Sequence, residues 1–150
     1  MVPADTLRKL ELFDGLTELE LNAVTGLAEV VDYPKGSMIF KENESAAKLY
    51  VLLTGRVAIQ FELARNQEAV VHTATAGQAF GWSAMVQPYK FTASARCVED
   101  SKIVTVDGED LRKFAKDDCH VGFVIMEKLA QVISTRLRET RMQLISAVHG

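Results

Sequence analysis

The middle of the chain, from about residue 30 to residue 106, alternates short apolar runs with turn residues and has no helical stretch. β-Branched and aromatic residues are frequent in these runs, as is typical of strands. The runs cover residues 38–40, 50–53, 57–61, 70–73, 92–98 and 103–106. About seven or eight short strands without intervening helices predict an antiparallel sandwich or barrel of the jelly-roll type.

The residues before this β region are expected to form helices. Leu7, Leu10 and Phe13 recur at helical spacing near the start of the chain. Thr17 followed by Glu20 is a capping-box pattern, in which each residue satisfies a free backbone N–H of the other. This pattern predicts a second helix that begins directly after Thr17.

The residues after the β region are also expected to be helical. Asp107 is predicted to cap a short helix, and the longest helix is predicted at about residues 121–145. Two rows of residues at helical spacing cover a wide arc of this helix. One row contains Ile125, Leu129, Val132, Arg136 and Thr140, and the other contains Met126, Ile133, Leu137 and Leu144. We expect one row to pack on the domain and the other on a second copy, which predicts a homodimer through this helix.

A chain of 150 residues is long enough for one domain with a substantial core. We therefore predict a single domain over residues 1–150, mainly β with flanking helices. Its centre is expected to be an eight-stranded antiparallel β-roll, a double-stranded β-helix of the jelly-roll type, at about residues 30–106. N-terminal helices precede the roll, and the C-terminal helices, including the long one, follow at about residues 108–146.

Charge and hydropathy exclude several classes of partner. The formal net charge of −3 provides no overall positive field for a phosphate backbone. The apolar runs are far shorter than the roughly 20 residues of a membrane span, so no membrane segment is expected. Because the N-terminus lacks the basic region and apolar run of a signal peptide, a cytoplasmic location is predicted.

The cysteines and histidines do not form a pattern that carries chemistry. Cys97 and Cys119 lack metal-ligand spacing and are expected to be reduced, buried thiols. His72, His120 and His149 lie in separate parts of the chain, whereas a catalytic metal needs clustered ligands. We therefore predict no metal site, no catalytic residues and no enzymatic activity.

Four segments resemble those of a known family. Residues 33–40 and 48–57 combine glycine turns with apolar runs that would fill a roll, and the shorter pieces 80–81 and 92–94 follow them. Together with the order of elements, they resemble the cyclic nucleotide-binding domain family, in the form found in the catabolite activator and Fnr regulators, over about residues 7–144. Transcription factors of that family carry a helix-turn-helix after the long helix, whereas this sequence ends at Gly150. On this ground no direct DNA binding is expected.

The resemblance implies a ligand site around the segment from Phe80 to Ser94. In the family this segment holds the phosphate-binding cassette, a glycine turn that leads into a short helix whose backbone N–H groups hold the cyclic phosphate. The implied ligand-binding residues are Phe80, Gly81, Trp82, Ser83, Ala84, Phe91, Thr92 and Ala93, together with Thr140 of the long helix.

Two positions of the cassette depart from the family pattern. Trp82 stands where the family has a glutamate that accepts a hydrogen bond from the ribose, and an indole only donates. Phe91 stands where the family has the arginine that pairs with the phosphate. Lys90 or Arg96 could replace that arginine. A cyclic nucleotide is therefore predicted to bind weakly or not at all.

Two functions fit these observations. The first is a regulatory module that senses a cyclic nucleotide or another small molecule in the roll and reports through the long helix. The second is a ligand-free dimerisation or interaction domain in which Trp82 and Phe91 fill the pocket as core. No cofactor is certain under either hypothesis.

Overall fold

The structure is a computed structural model that describes residues 2–149. The strands are β1 Ala28–Tyr33, β2 Met38–Phe40, β3 Lys48–Thr54, β4 Val57–Ala64, β5 Gln67–Ala74, β6 Ala79–Phe80, β7 Ser94–Cys97 and β8 Ser101–Asp107. They form two four-stranded sheets, in the orders β1-β8-β3-β6 and β2-β7-β4-β5. The strand pairs within each sheet are antiparallel, which confirms the predicted jelly-roll type of β-roll.

The helices lie on both sides of the roll in sequence, as predicted. They are α1 Ala4–Arg8, α2 Glu18–Thr25, α3 Gly108–Asp117 and α4 Cys119–His149, and there are 3-10 turns at Glu11–Phe13 and Trp82–Met85. The side chain of Asp107 accepts a hydrogen bond from the Asp110 N–H, so Asp107 caps α3 as predicted. The long helix begins earlier than predicted because the Asp118 carboxylate accepts hydrogen bonds from the N–H groups of His120 and Val121.

A tight turn at residues 55–56 joins β3 to β4. Gly55 has a φ of +104°, which L side chains rarely adopt. A Cβ at this position would also lie 2.7 Å from the carbonyl oxygen of Asp100. The hairpin therefore requires glycine here for both reasons.

Three predictions about local structure are wrong in detail. The first helix ends at Arg8 and resumes as the 3-10 turn, which allows Leu12 and Phe13 to be buried as well as Leu7. The strand predicted from residue 92 begins at Ser94, because the backbone of Phe91 pairs with residues 43 and 44 instead. Cys97 is buried as expected, but Cys119 is exposed at the start of α4.

The apolar core has two parts, separated by the sheet that contains β3. Leu49 and Val51 of β3 pack against the helices, whereas Tyr50 and Leu52 point into the roll. Because successive side chains of a strand point to opposite faces, β3 is buried on both sides and reads as a continuous apolar run. We call these two parts the helical core and the roll interior.

One row of α4 faces the domain, as predicted. Ile125 and Leu129 are completely buried in the helical core. In the second row, Leu137 and Leu144 are exposed. The structure describes a single chain, so the homodimer through α4 stays a prediction.

The capping box of α2 links this helix to α4. The Glu20 carboxylate accepts a hydrogen bond of 2.9 Å from the Thr17 N–H, and His120 Nδ1 lies 2.8 Å from Glu20 Oε1. The hydrogen bond from the Thr17 backbone, followed by that with His120, lowers the pKa of Glu20 from its usual 4.5 to about 2. A lowered pKa means that the carboxylate stabilises the fold above about pH 4.5 and that this contribution is lost as the pH falls toward about 2.

Glu20→Gln is expected to lower the free energy of unfolding at neutral pH. The difference in this free energy between the variant and the wild type is expected to become smaller as the pH falls. The amide oxygen of glutamine still accepts from Thr17, so the variant removes the charge and keeps the cap. Urea unfolding at a series of pH values from about 7 to about 3 measures the difference between the two proteins. Glu127→Gln, an exposed position on α4, is the matched control and is expected to show no such trend. A difference for Glu20→Gln that stays constant across this range would contradict the assignment.

Candidate ligand site

The candidate cassette begins at the end of β6 and includes the 3-10 turn Trp82–Met85. Gly81, between them, has the left-handed φ of +70° that the reversal of the chain requires. A Cβ on Gly81 would lie 2.7 Å from the ring of Tyr50, so no side chain fits there without displacing that ring. The glycine turn implied by the resemblance is present, and it leads into a four-residue 3-10 turn whose residues Ser83, Ala84 and Met85 are buried.

An arginine of α3 attaches the cassette to the helices. The guanidinium of Arg112 donates a hydrogen bond to the Ala84 carbonyl and lies 4.1 Å from the centre of the Tyr89 ring. Arg112 was not among the residues predicted from the sequence, because no local pattern connects it with Ala84, which lies 28 positions earlier. A movement of the cassette would therefore act directly on α3, which packs on α4.

Four aromatic rings fill the roll interior, and we call them the aromatic cluster. They are Phe40, Tyr50, Phe80 and Phe91, each no more than 7% exposed. The rings of Phe40 and Phe91 are stacked, with centroids 3.7 Å apart and an interplanar angle of 9°. Tyr50 stacks on Phe80 at 5.4 Å, and burial raises the pKa of Tyr50 to about 12.

The space that remains beside the aromatic cluster is small. The cavity lined by residues of the cassette, by Ile59 and by the rings of Phe40, Phe80 and Phe91 has a volume of about 30 Å³. One water molecule occupies about 30 Å³ in the liquid, whereas small-molecule sites measure about 300–1,000 Å³. The cavity is therefore about a tenth of the smallest of these sites.

The structure brings most of the predicted ligand residues together. The predicted residues that line the cavity are Phe80, Gly81, Trp82, Ser83, Phe91, Thr92 and Ala93. Ala84 is buried in the adjoining 3-10 turn, whereas Thr140 is exposed on α4. Trp82 and Phe91 have different surroundings, because the partly buried Trp82 packs against the helical core and Phe91 belongs to the roll interior.

Two rings of the aromatic cluster were absent from the predicted site. Phe40 and Tyr50 lie in the segments 33–40 and 48–57, which the resemblance marked as structural. The available signal was that each large ring occurs in a short apolar run of the predicted roll. That signal does not reveal which rings meet.

The two basic residues considered as substitutes lie outside the cavity. Lys90 is exposed. Arg96 is on the outer face of β7, where it donates to the Gly36 carbonyl at 3.2 Å and lies 3.7 Å from Glu68. Among residues 2–149, those that line the cavity carry no charged side chain.

The outer half of α4 is attached to β5 by polar contacts. The side-chain amide of Gln143 donates to the Val71 carbonyl at 2.9 Å. His72 Nδ1 lies 3.2 Å from a carboxylate oxygen of Glu139, and His72 Nε2 lies 3.1 Å from the Gln78 side-chain oxygen. The isolated His72 of the sequence therefore connects α4 with both β5 and the turn that precedes β6.

Among residues 2–149, no three histidine, cysteine, aspartate or glutamate side chains are grouped closely enough to hold a metal ion. None of the helices in the same range combines the length and the apolar character needed to cross a bilayer.

An antiparallel β-roll with a glycine-turn cassette, followed by a short and a long helix, defines a regulatory β-roll domain. The model of the family described as "cyclic nucleotide-binding domain" matches residues 30–118. The chain belongs to the cyclic nucleotide-binding domain family.

Relatives and solved structures agree with this membership. The structure of a putative cyclic nucleotide-binding protein from Geobacter metallireducens is 31% identical and covers 91% of this chain and 99% of that chain, with a TM-score of 0.83. The CRP-like cAMP-activated global transcriptional regulator of Mycobacterium tuberculosis is 26% identical over 144 residues, which are 96% of this chain and 62% of the regulator. The cyclic AMP receptor protein of Thermus thermophilus is 26% identical over 137 residues, 89% of this chain and 60% of that protein.

These relatives correct the exclusion of DNA as a partner. The expectation of no direct DNA binding relied on where the sequence ends and on its net charge. The chain spans about three fifths of the length of the curated relatives it matches, and those relatives include a transcriptional regulator. Because the end of this sequence therefore carries no information about DNA binding, the exclusion is wrong.

Proposed function

We propose that this chain is a regulatory domain that binds cyclic nucleotides weakly or not at all. The observation that carries the proposal is the stack of Phe40 on Phe91, with a cavity of only about 30 Å³ beside it. A nucleotide would have to separate these rings before it could enter the roll. The lost contact between buried aromatic rings opposes binding.

The chemistry of the cassette supports the same proposal. A cyclic phosphate in the roll would lose its water and meet no charged side chain of the cavity lining. Phe91 offers no charge-assisted hydrogen bond, and the indole N–H of Trp82 cannot accept a hydrogen bond from a ribose hydroxyl. Backbone N–H groups alone would then have to bind the anion.

We propose that the regulatory output uses α4. Arg112 connects the cassette to α3, and the contacts of His72 and Gln143 connect α4 to the roll. A ligand or partner that favours one position of α4 would shift its equilibrium between positions. The second candidate function is an interaction domain without a ligand in the roll, and the closed aromatic cluster favours it over a roll that awaits a small molecule.

Several sequence predictions remain proposals. We infer that residues 1–150 act as one domain, that the domain has no catalytic activity of its own, and that it works in the cytoplasm. The family membership supports a regulatory role, since the relatives of this chain include a transcriptional regulator.

Isothermal titration calorimetry with cyclic AMP and cyclic GMP tests the proposed function. We expect both nucleotides to bind at least tenfold more weakly than to a member of the family that has both charged residues of the cassette. One lost charge-assisted hydrogen bond costs about 1.5–3 kcal/mol, and about 1.4 kcal/mol is a factor of ten. Micromolar or tighter binding of either nucleotide would overturn the proposal.

A further inference from the structure

A second and larger cavity lies outside the roll, beneath α4. Its walls are α4, the turn between β5 and β6, and the 3-10 turn Glu11–Phe13. Its volume is about 280 Å³, which corresponds to roughly nine water molecules at about 30 Å³ each. This volume is slightly below the lower limit of the range for small-molecule sites, about 300 Å³. We call it the α4 cavity.

One face of α4 supplies polar and positively charged groups to this cavity. Lys128, Gln131, Thr135 and Arg136 all line it. Their spacing of three, four and one residues places them on the same side of a helix, over about two turns. Opposite them the lining includes one carboxylate, that of the exposed Glu11. The cavity is therefore lined by two cations and one anion.

The positive charge of the largely buried Arg136 guanidinium is only partly balanced by a neighbouring carboxylate. Its side chain is only 15% exposed, and Glu139 lies 3.5 Å away, farther than the roughly 2.7–2.9 Å of a good charge-assisted hydrogen bond. The same Glu139 carboxylate oxygen is 3.2 Å from His72 Nδ1. Burial lowers the pKa of Arg136, whereas the neighbouring Glu139 carboxylate acts in the opposite direction. A guanidinium carries five N–H donors, so it has donors left for a ligand.

Two further groups of the lining, the side chains of Gln78 and Lys128, also favour a negatively charged ligand. The side-chain oxygen of Gln78 accepts from the Thr75 N–H at 3.1 Å and contacts His72 Nε2 at 3.1 Å. With that oxygen occupied, the amide NH₂ of Gln78 is the group that remains to bind a ligand. Within residues 2–149, the half-buried Lys128 ammonium has no carboxylate within 4 Å.

We propose that the α4 cavity binds a small organic anion whose carboxylate or phosphate group is held by Arg136 and Lys128. The apolar side chains of Leu12 and Val132 form the wall for its carbon skeleton. Because the cavity joins α4 to the turn before β6, the bound anion fixes α4 against the roll. The site is separate from the cassette and does not depend on whether the roll binds a nucleotide.

NMR titration of the ¹⁵N-labelled chain tests this site, with inorganic phosphate and succinate as separate probes at constant ionic strength. At least one probe is expected to give saturable chemical-shift changes at the backbone amides of Gln78, Thr135 and Arg136. The amide signals of the cassette, residues 81–93, are expected not to shift. Arg136→Gln and Lys128→Gln should each weaken that binding at least tenfold. Arg141→Gln, at an exposed position of the same helix, is the matched control and should leave it unchanged.

The titration separates the two ligand chemistries and also the two sites. Saturation by phosphate alone assigns a phosphate group, and saturation by succinate alone assigns a carboxylate. If Arg136→Gln does not fold, Arg136→Lys replaces it in the test. Lysine keeps the positive charge but lacks the planar guanidinium that forms two parallel hydrogen bonds, so this variant should bind the anion more weakly than the wild type. The proposal is overturned if neither anion saturates, if the shifts map to the cassette, or if Arg141→Gln loses as much affinity as Arg136→Gln. None of these results bears on the calorimetry with cyclic nucleotides.

Discussion

Phe91→Ala is expected to lower the free energy of unfolding by about 3–5 kcal/mol, the usual cost of removing a buried phenylalanine ring. Phe91 is 5% exposed and stacks on Phe40 in the centre of the roll interior. The substitution removes both the buried area and the ring stack, and the neighbouring strands cannot close the space completely. Since small domains have about 5–15 kcal/mol of stability, this loss is a large share of the total.

Urea unfolding measures this loss, and Phe123→Ala is the matched control. Phe123 is 64% exposed on α4, so the same chemical change there should alter stability by no more than about 0.5 kcal/mol. If Phe91→Ala were as mild as the control, Phe91 would not be part of a packed core. The roll would then be open to ligands, contrary to the proposed function.

Phe91→Arg combined with Trp82→Glu is expected to increase the affinity for cyclic AMP by about a hundredfold or more. The two changes introduce the charged groups that the resemblance to the family implies at these positions. Each charge-assisted hydrogen bond contributes about 1.5–3 kcal/mol, and together they exceed the roughly 2.8 kcal/mol that corresponds to a hundredfold change. The wild type and the variant must both open the roll, but the variant no longer has a stack of Phe40 on Phe91 to break.

Thermal unfolding with and without cyclic AMP measures this gain, because a ligand that binds the folded state raises the melting temperature. The control variant is Phe91→Lys combined with Trp82→Glu. Lysine keeps the charge but cannot form the bidentate pair, so its gain should be smaller. A double variant that folds and shows no shift with cyclic AMP would mean that the cassette has been assigned to the wrong residues.

Local patterns were sufficient to predict most elements and the family. Thr17 and Glu20 determine the start of α2 through contacts within a single turn, and Asp107 does the same for α3. The alternation of apolar runs and turns predicted the β-roll, because side chains in a strand must alternate between two faces. The loss of charge at positions 82 and 91 is likewise a property of the residues themselves.

Contacts between distant segments were not predictable in this way. Phe40 and Phe91 are far apart in the sequence, and the backbone pairing of the segments after β2 and before β7 brings the two rings into their stack. The outer half of α4 could have left the domain, but Glu139 and Gln143 attach it to β5. The α4 cavity also depends on this contact, since its walls come from three separate segments of the chain.

The amino-acid sequence by itself thus determined the order of the elements, the roll and the uncharged cassette, since each follows from neighbouring residues or from side-chain identity. Only the tertiary structure decided that the aromatic cluster fills the roll interior and that the half-buried Arg136 lines the α4 cavity. The physical reason is that the register and spacing of packed elements set these contacts. Those quantities result from the packing of the whole core, which no short stretch of sequence encodes.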